Sequence, residues 1–258
     1  MSDAFRLFWQ PGCTSCLRTK EFLGERGIPF ESINVVEAPD AIADLQRLGF
    51  RSVPVLARGD VAIACQDLEE IAAFLEVDYK ATRLDVPALV ERLDRLLEAA
   101  GRFTHQFSNE ELSRHFVGRE RPFRDLAFHI YMIPAGFLAA TRGGRLEMAH
   151  FLETPPADKR SADAIVGFGE SVRENLAAWF EQCRDNLPDE VDTYYGRRSL
   201  VTVLERTTWH AAQHCRQLEA VLRLFGHEPD GPLGDAELGD LPLPRHVFDD
   251  EMALATAD

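Results

Sequence analysis

Apolar residues follow two different patterns along this chain, and the change between them lies near residue 80. The first part alternates strand-like runs with short helical repeats and predicts the element order βαβαββα. The predicted strands lie at 4–9, 29–35, 53–57 and 61–64, and the predicted helices at 14–26, 39–48 and 67–75. This order within about 75 residues is typical of a compact α/β domain with a mixed sheet.

The second part follows a helical period. Residues 79–86 have no clear period and predict a linker. Beyond them, four amphipathic helices are predicted at 86–107, 122–140, 161–186 and 199–225, and no strand is expected up to residue 225. Amphipathic helices joined by long connections indicate a four-helix bundle. Pro134 predicts a kink or a break in the second helix.

These patterns predict two domains in a chain of 258 residues, a length that suits two ordinary domains. The predicted parts are an α/β domain at 1–78, a linker at 79–86, an all-α four-helix bundle at 87–226 and an acidic tail with glycine and proline at 227–258. In that tail, Phe248 and Met252 are the residues expected to anchor to the protein surface.

Charge and composition narrow the function. The formal net charge is −15, which argues against nucleic acids and anionic membrane surfaces as partners. No apolar run approaches the ~18 residues of a membrane span, and the N-terminus shows no secretion signal. Five cysteines in such a chain indicate a reducing cytoplasm, where a Cys-x-x-Cys pair is more often catalytic or metal-binding than a structural staple.

The stretch Cys13-Thr14-Ser15-Cys16 lies where a strand turns at Pro11-Gly12 and a helix begins. A helix start offers N–H groups and the positive end of the macrodipole, and both stabilise a thiolate. Cys13 is therefore the expected nucleophile toward a disulfide sulfur. Cys16, one turn later, is the expected resolving thiol. The alternative is that both are inert core cysteines or zinc ligands.

Three spaced features make residues 4–78 resemble a glutaredoxin, which implies a thioredoxin-like fold. The first is Cys13-Thr14-Ser15-Cys16 after a strand. The second is Ser52-Val53-Pro54, similar to the family's Thr-Val-Pro, whose proline is cis and faces the cysteines. The third is Ala64-Cys65-Gln66-Asp67, which resembles the Gly-Gly-Cys-Ser-Asp stretch at the start of the last helix. Within it, Cys65 is expected to be a packing residue, with a third redox centre as the alternative.

The glutaredoxin resemblance also implies a glutathione groove beside Cys13. The backbone at Val53 and the pair Gln66-Asp67 would hold glutathione, with Lys20 or Arg51 near one of its carboxylates. The full set of residues assigned to this groove is Thr14, Lys20, Arg51, Val53, Pro54, Gln66 and Asp67.

A second group of chemically active residues lies in the predicted bundle. His210 and His214 are four residues apart on the fourth helix and share one face, which suits a metal clamp. His214 falls in the apolar seam, and His129 sits beside the seam of the second helix. Three imidazoles from two helices predict a zinc or nickel site with a fourth position open. The alternative is surface histidines or hydrogen-bonded core histidines.

Residues 87–226 resemble the DinB-like helical bundle family, which includes metal-dependent thiol transferases. The resemblance rests on Arg124-Asp125-Leu126 before His129 and on Arg216-Gln217 after His214. It implies that His129, His210 and His214 hold a divalent metal that binds a small thiol as its thiolate. Glu205 and Arg206 are expected on a solvated helix face, with the rim of this site as the alternative.

The leading hypothesis is therefore a cytoplasmic glutathione-linked thiol-disulfide oxidoreductase, coupled to a metal-binding bundle that activates a low-molecular-weight thiol. Its expected partners are glutathione and a small thiol, disulfide or electrophilic substrate, with a homodimer possible. A second hypothesis is a redox adaptor whose bundle only binds a partner or dimerises. A third is an iron–sulfur carrier in which Cys13 and glutathione ligate a cluster between two chains.

Overall fold

A computed structural model describes residues 4–249 of the chain. Within these residues the chain divides into two compact units. The first extends to Thr82 and also includes Pro244–Asp249, and the second covers Arg83–Leu243. The first unit is α/β and the second is largely helical, which confirms the predicted fold class.

The first unit is built on a four-stranded sheet with the strand order β2-β1-β3-β4. Its elements are β1 (Phe5–Trp9), α1 (Thr14–Glu25), β2 (Phe30–Asn34), α2 (Ala41–Arg47), β3 (Val55–Arg58), β4 (Val61–Ala64) and α3 (Leu68–Leu75). Strand β1 pairs parallel with β2 and antiparallel with β3, and β3 and β4 form a hairpin. Successive side chains of β1 point to opposite faces. Leu7 therefore packs in one hydrophobic cluster and Phe8 in the other.

The second unit contains four long helices. Its elements are α4 (Val86–Gln106), α5 (Asn109–Ser113), α6 (Phe123–Thr141), α7 (Ala149–Leu152), a 3₁₀ turn (Ala157–Lys159), α8 (Ala162–Cys183), β5 (Glu190–Thr193), β6 (Gly196–Ser199), α9 (Leu200–Leu224) and α10 (Asp235–Leu238). Helix α4 packs against α8 and α9, and α6 packs against the same two helices. The long helices thus close a ring around one apolar core, as a four-helix bundle does.

One sequence prediction for this unit is wrong, and another is narrowed. Strands β5 and β6 form an antiparallel hairpin where no strand was expected, because four-residue segments such as Gly-Arg-Arg-Ser show no apolar alternation. Helix α6 continues through Pro134, so of the predicted kink or break the break is absent. Proline removes one N–H donor from a helix, but almost every side chain of α6 is buried, and that packing maintains the helix.

The segment Pro244–Asp249 is held on helix α1. The carboxylate of Glu21 accepts hydrogen bonds from the backbone N–H of Arg245 at 2.6 Å and from that of His246 at 3.0 Å. The Glu21 carboxylate also lies 2.7 Å from Nδ1 of His246. Phe248 is buried, while Met252, the other expected anchor, lies outside the described residues. The Glu21 carboxylate therefore attaches a C-terminal segment to the helix that carries the cysteines.

A glycine pair on α8 provides a test of the bundle packing. A Cβ at Gly169 would overlap the ring of Tyr131, whereas a Cβ at Gly167 would meet nothing within 4 Å. Gly169→Ala is expected to lower the free energy of unfolding by ~1–3 kcal/mol through overpacking. The control Gly167→Ala should raise it by up to ~1 kcal/mol through helix propensity. Urea unfolding measured by the fluorescence of Trp179 and Trp209 distinguishes the two variants. Equal effects of both changes would contradict this packing.

Candidate functional site

Cys13 and Cys16 are placed by the end of β1 and the start of α1. Gly12 turns the chain with a φ of 71°, a conformation that favours glycine. Cys13 is the N-cap of α1, and its Sγ accepts the N–H of Cys16 at 3.1 Å. The two cysteines form a disulfide. Cys13 is partly exposed and Cys16 is fully buried, so an outside thiol or disulfide can reach the sulfur of Cys13 and not that of Cys16.

The residues predicted to surround this cysteine pair differ in their burial and in their hydrogen bonds. The Val53–Pro54 peptide is cis, and the Pro54 carbonyl accepts the N–H of Cys65 at 3.0 Å. Thr14 is buried and Arg51 is exposed. Asp67 is the N-cap of α3, where its side chain accepts the N–H of Glu69 at 2.8 Å.

Gln66 connects the start of α3 to α1. Its side-chain oxygen accepts a hydrogen bond from Ser15 at 3.3 Å, and its carbonyl accepts one from Arg18 at 2.9 Å. All three residues are buried. The sequence analysis missed Ser15 and Arg18. The position of Ser15 inside the Cys-x-x-Cys spacer was an available signal, but helical periodicity gives no sign that an arginine will be buried.

Lys20 already faces a carboxylate. Its ammonium lies over the ring of Trp9, 2.9 Å from the centroid, and 3.7 Å from the carboxylate of Asp249. A cation held over an aromatic face and near a carboxylate is partly neutralised. An incoming anion at Lys20 would therefore compete with Asp249.

Cys65 and Cys215 lack the environment of reactive thiols. Burial raises the pKa of Cys65 to about 12. Burial also raises the pKa of Cys215, whose Sγ donates to the Leu96 carbonyl at 3.4 Å. A reactive cysteine needs a lowered pKa and some exposure. Both side chains therefore act as small packing groups in their cores.

Helices α6 and α9 bring His129, His210 and His214 together. One ring nitrogen of each lies within 4.8 Å of the others, and all three side chains are buried. The Nε2 atoms of His210 and His214 are 3.1 Å apart. Nδ1 of His214 lies 2.7 Å from the side-chain oxygen of Gln217, the acceptor for its N–H. This bond fixes the tautomer of His214 and leaves its Nε2 with a lone pair directed at the cluster.

All three histidines are neutral at neutral pH. Burial lowers the pKa of each one, that of His214 to about 3. Nearby positive charges, Arg121 among them, lower these pKa values further. A histidine binds a metal ion through the lone pair of its neutral ring. The cluster therefore has its rings in the protonation state that a metal ion requires.

The cluster also has the size that suits a metal ion. Metal–nitrogen bonds of ~2.0 Å in a tetrahedral site place ligand nitrogens about 3.3 Å apart, close to the spacing of His210 and His214. Within the described residues, the buried Nδ1 atoms of His129 and His210 have no hydrogen-bond partner. Buried polar atoms in this condition call for an explanation, but an ion bound at Nε2 of His210 would not supply one for Nδ1 of the same ring. The residues present therefore fit a divalent metal.

An aromatic and cationic wall lies beside the histidines. The Phe151 ring centroid is 6.1 Å from that of His129 and 5.6 Å from that of His210. Nη2 of Arg206 donates to the Tyr194 hydroxyl at 3.1 Å, and the Arg206 guanidinium lies 5.2 Å from the Phe151 ring centroid. These contacts form one side of the histidine site.

The expectation that Glu205 and Arg206 lie on a solvated face is wrong, since both are buried. Glu205 accepts a hydrogen bond from Nε of Arg83 at 3.1 Å, and Arg206 packs among the aromatic rings of α7 and the β5–β6 turn. The missed hairpin and the short helix α7 therefore explain the error, because without them this turn of α9 would face solvent.

Comparison with known proteins places the first unit in a family. Residues 5–63 match the Glutaredoxin family. The chain is 38% identical over 56 residues to the "Glutaredoxin-like protein NrdH" of Salmonella typhimurium and to that of Escherichia coli K12. Each of these alignments covers 22% of this chain and 69% of the relative. Identity to the Lactococcus lactis protein of the same name is 35% over 52 residues, covering 20% of this chain and 72% of the relative. The chain belongs to the glutaredoxin family through this N-terminal segment.

The family and the geometry agree on the chemistry of the first unit, which is a glutaredoxin-like thiol-disulfide oxidoreductase domain. The match ends before the histidine cluster and does not describe it. Within residues 4–249, no helix is both long enough and apolar enough to cross a membrane.

Proposed function

We propose that this chain is a glutathione-linked thiol-disulfide oxidoreductase whose bundle holds a divalent metal and activates a low-molecular-weight thiol. The observation that carries the metal half is the approach of three buried, neutral imidazoles to within 4.8 Å of one another. The resemblance of the helical unit to DinB-like bundles supports the same assignment.

The redox half follows from the asymmetry of the cysteines. The reduced Cys13 thiolate attacks one sulfur of a disulfide, and the other sulfur leaves as a thiolate that takes a proton from solvent. The Cys16 thiol then loses its proton and attacks the sulfur of Cys13. This step releases the second substrate thiol and closes the Cys13–Cys16 disulfide, so two electrons pass to the substrate. Two molecules of glutathione would return the pair to its dithiol form and become glutathione disulfide.

The proposed glutathione groove uses residues around Cys13. The backbone of Val53 would bind the peptide part of glutathione, and Gln66 and Asp67 would line the groove at the start of α3. Lys20 would bind a glutathione carboxylate in exchange for Asp249, which lies 3.7 Å from its ammonium. The contact with Asp249 makes glutathione binding weaker than an unpaired lysine would allow.

In the bundle, His129, His210 and His214 would hold the metal. When bound, zinc or nickel supplies a positive charge that favours the ionised form of a thiol at neutral pH. Gln217 keeps the His214 ring in the orientation in which Nε2 faces the cluster, and Phe151 limits the access of water. The remaining ligand position is where the thiol would enter.

The setting proposed for this activity is the cytoplasm, with small molecules as partners and neither nucleic acid nor membrane involved. A reducing compartment keeps a Cys-x-x-Cys pair available as a dithiol. Joining the two units in one chain gives each site an effective concentration near the other on the order of millimolar. A thiol product of one site is therefore delivered readily to the second, in a monomer or in a homodimer.

Metal analysis of freshly purified protein tests this proposal. We expect about one zinc or nickel ion per chain, since three histidines form one site. Added glutathione should change the absorption spectrum of the protein loaded with cobalt. Protein that contains no metal and takes up neither zinc, nickel nor cobalt would refute the metal half and leave the redox half standing.

A further inference from the structure

Ser15, which lies between the two cysteines and directly precedes Cys16, has a buried hydrogen bond to a second segment of the first unit. Its hydroxyl donates to the side-chain oxygen of Gln66 at 3.3 Å. Both residues are only 4% exposed, so water has little access to this bond. The spacer of the cysteine pair is therefore attached to the turn before α3.

Gln66 is itself held in place by main-chain hydrogen bonds around it. Its carbonyl accepts a hydrogen bond from Nη2 of the buried Arg18 at 2.9 Å. The N–H of the preceding residue, Cys65, donates to the Pro54 carbonyl at 3.0 Å. Gln66 is thus a fixed partner, and a shift of Ser15 would weaken or break the bond between the two side chains.

Opening the Cys13–Cys16 disulfide requires such a shift. A covalent bond holds the two sulfurs of a disulfide together, and the sulfurs of two thiols must move apart to van der Waals distance. Ser15 belongs to the two-residue spacer that joins the cysteines, so the spacer has to adjust when they separate. The bond from Ser15 to Gln66 exists in the disulfide form and opposes this adjustment. It therefore favours the disulfide over the dithiol.

We propose that Gln66 is a positioning residue that sets the reduction potential of Cys13–Cys16 through its hydrogen bond to Ser15. This role goes beyond the proposed function, because it concerns the disulfide itself and requires neither glutathione nor a metal. A bond that favours the disulfide lowers the reduction potential of the pair. The dithiol form then gives up its electrons more readily, which suits a domain that reduces other disulfides.

The test measures the equilibrium of the full-length protein with 2-mercaptoethanol and its disulfide. Two molecules of 2-mercaptoethanol give two electrons and two protons to Cys13–Cys16 and become one molecule of their own disulfide. Ser15→Ala removes the donor of the bond, and Gln66→Met removes the acceptor with little change of volume. Each variant should shift the equilibrium constant about three- to tenfold toward the dithiol, which is a rise of ~15–30 mV in reduction potential. Alkylation and mass spectrometry of the intact protein give the oxidised fraction.

Two further variants show whether the effect belongs to this bond. The double variant of Ser15→Ala and Gln66→Met should shift the equilibrium no further than either single variant, because both changes remove the same bond. Ser15→Thr keeps a hydroxyl at this position and should keep most of the wild-type equilibrium.

Thr19→Val is the matched control. Thr19 is fully buried, and its hydroxyl donates to the Ser15 carbonyl at 2.8 Å within the same helix. This change also removes a buried hydroxyl from α1, but it leaves the side-chain bond from Ser15 to Gln66 in place. It should lower the melting temperature, while the equilibrium constant stays within about twofold of the wild type. A loss of stability alone acts on both redox forms and does not move the reduction potential.

Wild-type oxidised fractions in both Ser15→Ala and Gln66→Met would overturn the inference. Shifts of the single variants that add up in the double variant, or an equal shift in Thr19→Val, would also overturn it. Circular dichroism identifies a variant that does not fold, and the other single variant then provides the test. Because the assay uses 2-mercaptoethanol, its outcome is independent of glutathione binding and of metal uptake, the two parts of the proposed function.

Discussion

Replacing Cys13 with serine is expected to lower disulfide reductase activity by at least about a thousandfold, to the background of the assay. The change exchanges a thiol at a helix start, a position that favours the thiolate, for a hydroxyl that is not a nucleophile toward disulfides, so the attacking group is lost. Cys13 is also the partly exposed member of the pair, while the sulfur of Cys16 is fully buried. For this reason Cys16 cannot replace it as the nucleophile.

The matching change, Cys16→Ser, should have a different result. Cys13 still attacks a disulfide in this variant, but the resolving thiol is missing, so the mixed disulfide accumulates. Mass spectrometry of the intact protein should show Cys13 carrying half of the substrate. Cys65→Ser is the control, because burial raises the pKa of that thiol to about 12 and the protein should keep its activity. Substantial activity in Cys13→Ser would contradict the assignment of the nucleophile.

Replacing His210 and His214 together with alanine is expected to abolish stoichiometric metal binding. The change removes two of the three proposed ligand nitrogens, so His129 alone would be left to bind the metal ion. The bundle itself should stay folded, because its long helices pack against one another along their whole length and alanine is the best helix former. Metal stabilises the native state in proportion to the logarithm of its concentration over its Kd. Zinc should therefore raise the melting temperature of the wild type and not of the variant.

His105→Ala is the control for the histidine change, because His105 is an exposed side chain that lies 3.4 Å from Asp163. Zinc should stabilise this variant as it stabilises the wild type. The double variant also separates the two hypotheses for the bundle. An adaptor with a non-catalytic bundle keeps all of its activity, while a metal enzyme loses every turnover that depends on the bundle. Retained zinc stabilisation in the double variant would contradict the three-histidine site.

The sequence was sufficient to predict those features that depend on local patterns. The strand–turn–helix around Cys13 and the burial of both histidines on α9 follow from spacing along one element. The approach of His129 to His210 and His214 was predicted in the same way, from the position of each residue relative to the apolar face of its helix. These predictions succeeded because each of the two helices has an apolar face that must be buried. Packing the two faces against each other buries both and brings their residues together.

The sequence was not sufficient where a short polar segment covers a charged side chain. Arg206 was expected in solvent because the β5–β6 hairpin and α7 show no periodicity of their own. Ser15 and Arg18 were missed for a related reason, because their partner Gln66 lies 51 and 48 residues away in the sequence, in the turn before α3. Long-range polar contacts of this kind leave no trace in the spacing of apolar residues.

The backbone N–H groups of Arg245 and His246 donate to the Glu21 carboxylate, so the helical unit is an insertion in the chain of the first unit. Holding both ends of about 160 residues costs loop-closure entropy, which grows with the logarithm of the loop length. The order of the segment Pro244–Asp249 on α1, and with it the contact of Asp249 with Lys20, depends on the Glu21 carboxylate. Removing that carboxylate would release the segment and change the charge beside the cysteine helix without altering any residue of the sheet.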